Sequence, residues 1–191
     1  MERIPPHVLL GAYTEGVFPM ADDGEILWFA PEMRGVIPLD DRFHIPHGLE
    51  RKLRKEPYEL RVNTAFDEVI ANCSDRDETW IDDVITSSYG HLHELGYCHS
   101  FESWDEDGLQ GGLYGVAIGK AFFGESMFSR KTDASKVALV FLVEWLRKHS
   151  FVLLDTQWMT DHLRQFGGIE VPREEYNKLL AEALAEDAEE G

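Results

Sequence analysis

Cysteine is scarce in this 191-residue chain, and long hydrophobic runs are missing. Two cysteines, Cys73 and Cys98, are too few to staple a fold, so a disulfide scaffold is excluded and both read as free thiols of a reducing compartment. No stretch approaches the roughly 18–20 consecutive apolar residues of a membrane span, and no apolar segment follows the start at Met1–Pro6. The expectation is a soluble, cytoplasmic protein. Positive charge is short as well: 18 Lys and Arg stand against 36 Asp and Glu, a formal net charge of −18. That sum by itself argues against a nucleic-acid partner. Missing too are a Gly-Lys-Ser phosphate loop, a Gly-x-Ser-x-Gly elbow and a Cys-x-x-Cys pair, and with them the chemistries those motifs carry. A metal centre is not expected either. His91 and His93 are two apart on a predicted helix, about 200° around it, and cannot converge on one ion; a site would need His93, His99 and Cys98 or Cys73 to meet from a loop.

What is present is enough for one core. The apolar fraction is 43%, with 12% aromatics, in a length that suits one domain with a small appendage. Charge is segregated. Residues 66–107 hold twelve acids and one base, whereas 42–61 hold six bases against three acids and 111–173 hold eight against six. Arg51, Lys52, Arg54 and Lys55 could dock an anionic partner, or form the solvated face of a helix.

Val8–Tyr13 predicts a short helix closed by Gly16, and residues 18–31 an aromatic-rich turn region, together a small N-terminal lobe over residues 1–33. Residues 34–191 read as the larger domain. Strands are predicted over 36–39 and 58–63, helices over 47–55, 64–73 and 83–96, and a three-stranded meander over 98–104, 109–118 and 121–125. A buried helix capped by Asp133 or Ser135 runs to about His149, an interior strand covers 151–157, and helices over 161–166 and 173–185 close the chain; the Ala/Glu-rich end continues the last helix and frays. The fold class is α+β, a mostly antiparallel mixed sheet flanked by helices.

Asp155 and Gln157 end the interior strand and, two apart, share one face; a carboxylate there is a site candidate, or caps the next turn. Glu125 leaves the sheet in Gly124-Glu125-Ser126-Met127-Phe128-Ser129-Arg130, where it could hold a ligand amine or hydroxyl, or pair with Arg130 or Lys131. Trp28, Phe29 and Trp80 could stack on bases, line a pocket, or simply fill the core.

The chain resembles the leucyl/phenylalanyl-tRNA protein transferases of bacteria. The matching words include Leu9-Leu10-Gly11-Ala12-Tyr13 with Gly16-Val17-Phe18-Pro19, Ile26-Leu27-Trp28-Phe29, Arg34-Gly35-Val36-Ile37-Pro38, Phe43-His44-Ile45-Pro46, Thr79-Trp80-Ile81, Phe123-Gly124-Glu125-Ser126-Met127-Phe128-Ser129, Leu154-Asp155-Thr156-Gln157 and Asp161-His162-Leu163, in order along nearly the whole chain. The resemblance implies transfer of leucine or phenylalanine from a charged tRNA to proteins beginning with Arg or Lys, marking them for degradation. It implies a larger domain like the acyl-CoA N-acetyltransferase (GNAT) fold. It places Asp155 and Gln157 on the catalytic pair, Glu125 in the donor site, and Trp80 against the terminal adenosine. The Leu or Phe pocket would then draw on Trp28, Phe29, Met127 and Phe128, and the tRNA on the basic segment 51–55. Met20 and His47 depart from the family's aromatic and Arg, and the chain begins later than long members, so a weaker hold on tRNA is expected.

An activated ester needs no cofactor to be aminolysed: alignment of the amine can supply about 7–11 kcal/mol. Gln157 would position the amine while Asp155 polarises or orients it, the proton passing to the ribose oxygen. An acyl-CoA N-acyltransferase and a non-catalytic binder of basic N-termini are the rival readings. The segment 130–136 has no glycine with which to cradle a CoA pyrophosphate, which disfavours the first.

Overall fold

The computed structural model describes residues 2–185; the end of the Ala/Glu-rich segment, expected to fray, lies outside them. The order is α1 (Pro6–Thr14), β1 (Phe18–Asp22), β2 (Glu25–Phe29), β3 (Met33–Ile37), α2 (His47–Leu53), β4 (Glu59–Val62), α3 (Phe66–Ser74), α4 (Asp83–Glu94), β5 (Cys98–Asp105), β6 (Gly108–Ile118), β7 (Ala121–Ser129), α5 (Ala134–Lys148), β8 (Leu153–Gln157), α6 (Asp161–Arg164), β9 (Ile169–Pro172) and α7 (Arg173–Ala185). Among the described residues no helix is long and apolar enough to cross a membrane.

Seven strands form a mixed sheet in the order β4-β5-β6-β7-β8-β3-β9, and β1 and β2 form a separate antiparallel pair. Every neighbour pair in the large sheet is antiparallel except β7 and β8, whose parallel pairing requires the crossover that α5 supplies. Alternation along the strands feeds two cores. Phe122, Leu113 and Leu154 face α2 and α5, while Phe123, Tyr114 and Leu153 face the layer of α1, α3, α4 and α7. The helix α5 is apolar on most of its surface because it is buried, and at Gly111 its first turn lies so close to β6 that a Cβ would stand 2.5 Å from that of Ala134. Asp133 precedes α5 with φ 62° and makes no side-chain cap; its carboxylate takes Lys52 and Lys136 instead.

The region read as an aromatic turn, 18–31, is a hairpin, and β9 joins the sheet beyond β3 where no strand was expected. Glu102, fully buried, accepts from Thr64 N and Ala65 N, both 3.1 Å away, tying β5 to the chain entering α3.

The feature that positions the site is where β7 and β8 part. They pair only from Ala121–Phe123 to Leu153–Asp155, after which β7 continues to Ser129 on β6 alone. Each strand carries a bulge at the parting: the β6–β7 register passes from Tyr114↔Ser126 to Gly115↔Gly124, leaving Glu125 extra, and the β3–β8 register passes from Gly35↔Gln157 to Val36↔Asp155, leaving Thr156 extra. Bulges of this kind re-aim side chains beside sites.

Candidate active site

A cavity of about 240 Å³ fills the parting. Its floor is apolar, from Leu113, Met127, Leu139, Leu142 and Leu154, and its polar wall includes Glu125, Tyr114, Thr156 and Thr160, with Trp80 and Arg76 also lining it. The volume is below the roughly 300–1,000 Å³ of sites for drug-sized ligands, so it suits one amino-acid-sized group. Two buried side-chain polar atoms among the described residues have no hydrogen-bond partner, Tyr114 Oη and Thr156 Oγ1, and both belong to residues lining this cavity. Buried polar atoms are nearly always paired, so a ligand group or a water is the expected partner.

Glu125 is held by hydrogen bonds from the Tyr13 hydroxyl and from Gln157 Nε2 (3.2 Å), and Tyr13 is joined in turn to the Tyr89 hydroxyl. Burial pushes the Glu125 carboxyl up to about 8 against the hydrogen bonds that favour its charge. Burial also drives the Tyr13 and Tyr89 hydroxyls well above their ordinary value, which keeps them protonated donors. Glu125 pairs with neither Arg130 nor Lys131: the first is bonded to Asn72 and the second to Asp105 and Asp107.

Asp155 does not stand at a mouth. It has no exposed surface; its Oδ1 accepts from Arg34 Nε (3.0 Å) and Gln157 N (2.6 Å), and its Oδ2 from Arg34 Nη2 (2.7 Å) and Tyr176 Oη (2.5 Å). Four donors occupy the carboxylate, and Arg34 itself is anchored to Gly16 O at 2.6 Å. Gln157 lies two residues on with φ 67°, a conformation a residue with a Cβ holds only when its surroundings impose it. The bond from its N–H to Asp155 is one such constraint, and the pairing of β8 with Gly35 is another. A Cβ on Gly35 would come within 2.7–2.9 Å of Thr156 Oγ1, Met159 N and Trp158 C.

The structure brings Glu125, Met127 and Trp80 around one cavity; Gln157 is buried beside it and joined to it through its hydrogen bond to Glu125, with Asp155 behind. It does not bring Trp28, Phe29 or Phe128 into the apolar pocket. Trp28 is exposed on β2, Phe29 packs on Phe18 and Trp158 with ring centroids 6.1 and 5.6 Å apart, and Phe128 turns to a neighbouring cleft, because β2 pairs into the N-terminal hairpin and Phe128 alternates away from Met127. Arg51, Lys52, Arg54 and Lys55 gather on α2 and its C-terminal end around a shallow cleft of their own. Sequence reasoning gave no role to Arg34, Tyr13, Tyr89, Tyr176 or the four floor leucines; a carboxylate ending an apolar strand demands a cation, and that demand was the signal for Arg34. Among the described residues no three His, Cys, Asp or Glu side chains converge as metal ligands. His93 Nδ1 faces Cys98 O at 2.7 Å and His99 Nδ1 faces Asn63 at 2.9 Å.

Family models and sequence relatives point to one family. A model of the leucyl/phenylalanyl-tRNA protein transferases matches residues 36–181, and a model of their N-terminal domain matches residues 2–32. The leucyl/phenylalanyl-tRNA–protein transferase of Akkermansia muciniphila is 62% identical over 190 residues, covering 97% of this chain and 98% of that one. The protein of the same name from Herpetosiphon aurantiacus is 50% identical over 183 residues, covering 96% of each. Among solved structures FemX superposes with a TM-score of 0.53 at 11% identity, over 87% of this chain and 66% of that one, a likeness of fold alone. The chain belongs to the leucyl/phenylalanyl-tRNA protein transferase family.

Proposed function

We propose that this protein transfers leucine or phenylalanine from aminoacyl-tRNA to the α-amine of proteins beginning with Arg or Lys, in the cytoplasm, where charged tRNA is made. The observation that carries this reading, beside family membership, is the small apolar-floored cavity between β7 and β8 with Trp80 on its wall. Its floor suits a branched aliphatic or phenyl side chain, and the indole offers a face for the terminal adenine. The splayed parallel pair joined by α5 is the basis for reading residues 34–191 as GNAT-like, with residues 1–33 a lobe that contributes Tyr13.

In the reaction the amine nitrogen attacks the ester carbonyl carbon, the C–N bond forms, the bond to the ribose oxygen breaks, and the amine proton ends on that oxygen. Gln157 spends its amide N–H on Glu125, which leaves its carbonyl oxygen to accept from the incoming amine and fix the line of attack. Glu125, close to half protonated near pH 8, orients that amide. Asp155, saturated by Arg34 and Tyr176, acts as a positioning residue that holds the Gln157 backbone, rather than touching the amine itself. Incubating the protein with labelled leucyl-tRNA and an Arg-initiated peptide should move label to the peptide, and acetylating the peptide's N-terminus should abolish transfer. Label that stays on tRNA while the peptide binds would leave only a binder of basic N-termini.

A further inference from the structure

Beside the cavity lies a larger cleft of about 480 Å³ with which it shares Arg76, Met127 and His162, so the two form one continuous depression. Two exposed guanidiniums, Arg76 and Arg130, line this cleft in a chain whose formal net charge is −18. Arg76 is held by neutral acceptors, and Arg130 mainly so, with one carboxylate, that of Glu68, at the edge of ion-pair distance. Arg76 Nη2 donates to Met127 O (2.5 Å) and Ser126 Oγ (3.3 Å), and among the described residues Arg76 makes no ion pair. Arg130 donates from Nε and Nη2 to Asn72 Oδ1 (3.1 and 2.6 Å) and from Nη1 to Leu109 O (3.4 Å). The acidic groups facing the cleft are Asp75 on its wall and Glu68, 3.9 Å from Arg130 Nη1. Neutral acceptors thus fix the Arg76 fork and most of the Arg130 fork, the arrangement that suits bidentate binding of an anion at little ordering cost.

We propose that this cleft is a phosphodiester subsite, in which Arg130 and Arg76 take the phosphate on the 5′ side of the aminoacylated adenosine. The inference rests on the function proposed above, since an adenosine against Trp80 carries its 5′-phosphate out of the same cavity. The onward path supports it. The cleft reaches Ser135 at the start of α5; Thr132 and Asp133, just before that helix, line a further cleft with Lys52 and Lys55; and those two lysines share the next with Arg51 and Arg54. A single strand leaving the cavity would meet cations from Arg76 to α2, with one carboxylate on the way, Asp133, that is already paired with Lys52 and Lys136.

The test compares two donors, leucyl-tRNA and 3′-O-leucyladenosine, which has no phosphate, in the full-length protein and in Arg130→Gln. The subsite predicts about a tenfold rise in KM for leucyl-tRNA with kcat nearly unchanged, a salt dependence of that KM shallower by about one unit of log–log slope, and kinetics with leucyladenosine unaltered. Arg130→Lys, which keeps the charge but not the fork, should restore the salt dependence and recover only part of the loss in KM. Equal losses with both donors, or none with leucyl-tRNA, would overturn the subsite while the transferase reading stands. A wild-type protein that transfers from neither donor removes both.

Discussion

Arg34 and Asp155, one on β3 and the other on β8, form a two-pronged ion pair at 3.0 and 2.7 Å with 2% and 0% of their surfaces exposed. The pair has little access to water, so removing one partner strands the other's charge. Arg34→Met and Asp155→Leu should each lose about 3–5 kcal/mol of stability, whereas the double variant carrying both should lose clearly less than the sum. Urea denaturation measures this. Additive losses would mean that the pair is not the coupled unit described.

Gly35→Ala tests the support of Gln157 from the other side. Two of the three atoms a new Cβ would crowd are backbone atoms of the turn after Gln157, so that turn must shift. A misplacement approaching 1 Å can cost about a hundredfold in rate. The expected result is a fall in kcat of at least tenfold with donor binding retained, read by transfer kinetics beside equilibrium binding of leucyl-tRNA. Unchanged kcat would separate Gln157 geometry from turnover.

Much of the scaffold was legible because burial writes itself into the sequence. The β5–β6–β7 meander and α5 followed from alternation and from an unbroken apolar run, and they stand within a few residues of expectation. The hairpin 18–29 was hidden by Pro19 and Gly24, which read as loop signals, and β9 by its four-residue length at a sheet edge. Met127 came only with the pocket that the family resemblance implies, but Glu125 was legible as a candidate where its strand leaves the sheet, and Trp80 as an aromatic that could stack on a base. The floor was not: Leu113, Leu139, Leu142 and Leu154 look like any core leucines until β7 and β8 are seen to part. The same blindness placed Trp28 and Phe29 in the pocket, since aromatic character says nothing about which sheet a strand joins.

On the proposed reading the cavity floor selects the amino acid. Leu142→Ala opens the bottom of the cavity and should raise the preference for phenylalanyl- over leucyl-tRNA by about tenfold in kcat/KM, at a stability cost of about 2–5 kcal/mol. Competition between the two charged tRNAs measures it. A preference that moves toward leucine would place the side chain elsewhere.

Glu125 makes stability depend on pH in a predictable direction. Burial pushes its carboxyl up to about 8 in the folded protein from an ordinary 4.5, so between those values the folded protein is expected to hold a proton that the unfolded chain has released. The neutral form's contribution is complete below the lower value and is lost as pH rises through the upper one, at up to about 1.4 kcal/mol per pH unit. Glu125→Gln should remove this slope, its melting temperature gaining on the wild type from pH 5 to pH 8.5. Parallel curves would mean that the carboxyl is ionised throughout.

The most direct test is a crystal structure with a non-hydrolysable donor, adenosine carrying leucine through a 3′-amide. The leucyl side chain should lie among Leu113, Leu139 and Leu142, the adenine against Trp80, and the carbonyl carbon within reach of an amine held by the Gln157 oxygen. A ligand bound outside the opening between β7 and β8, or with its carbonyl turned from Gln157, would contradict the account.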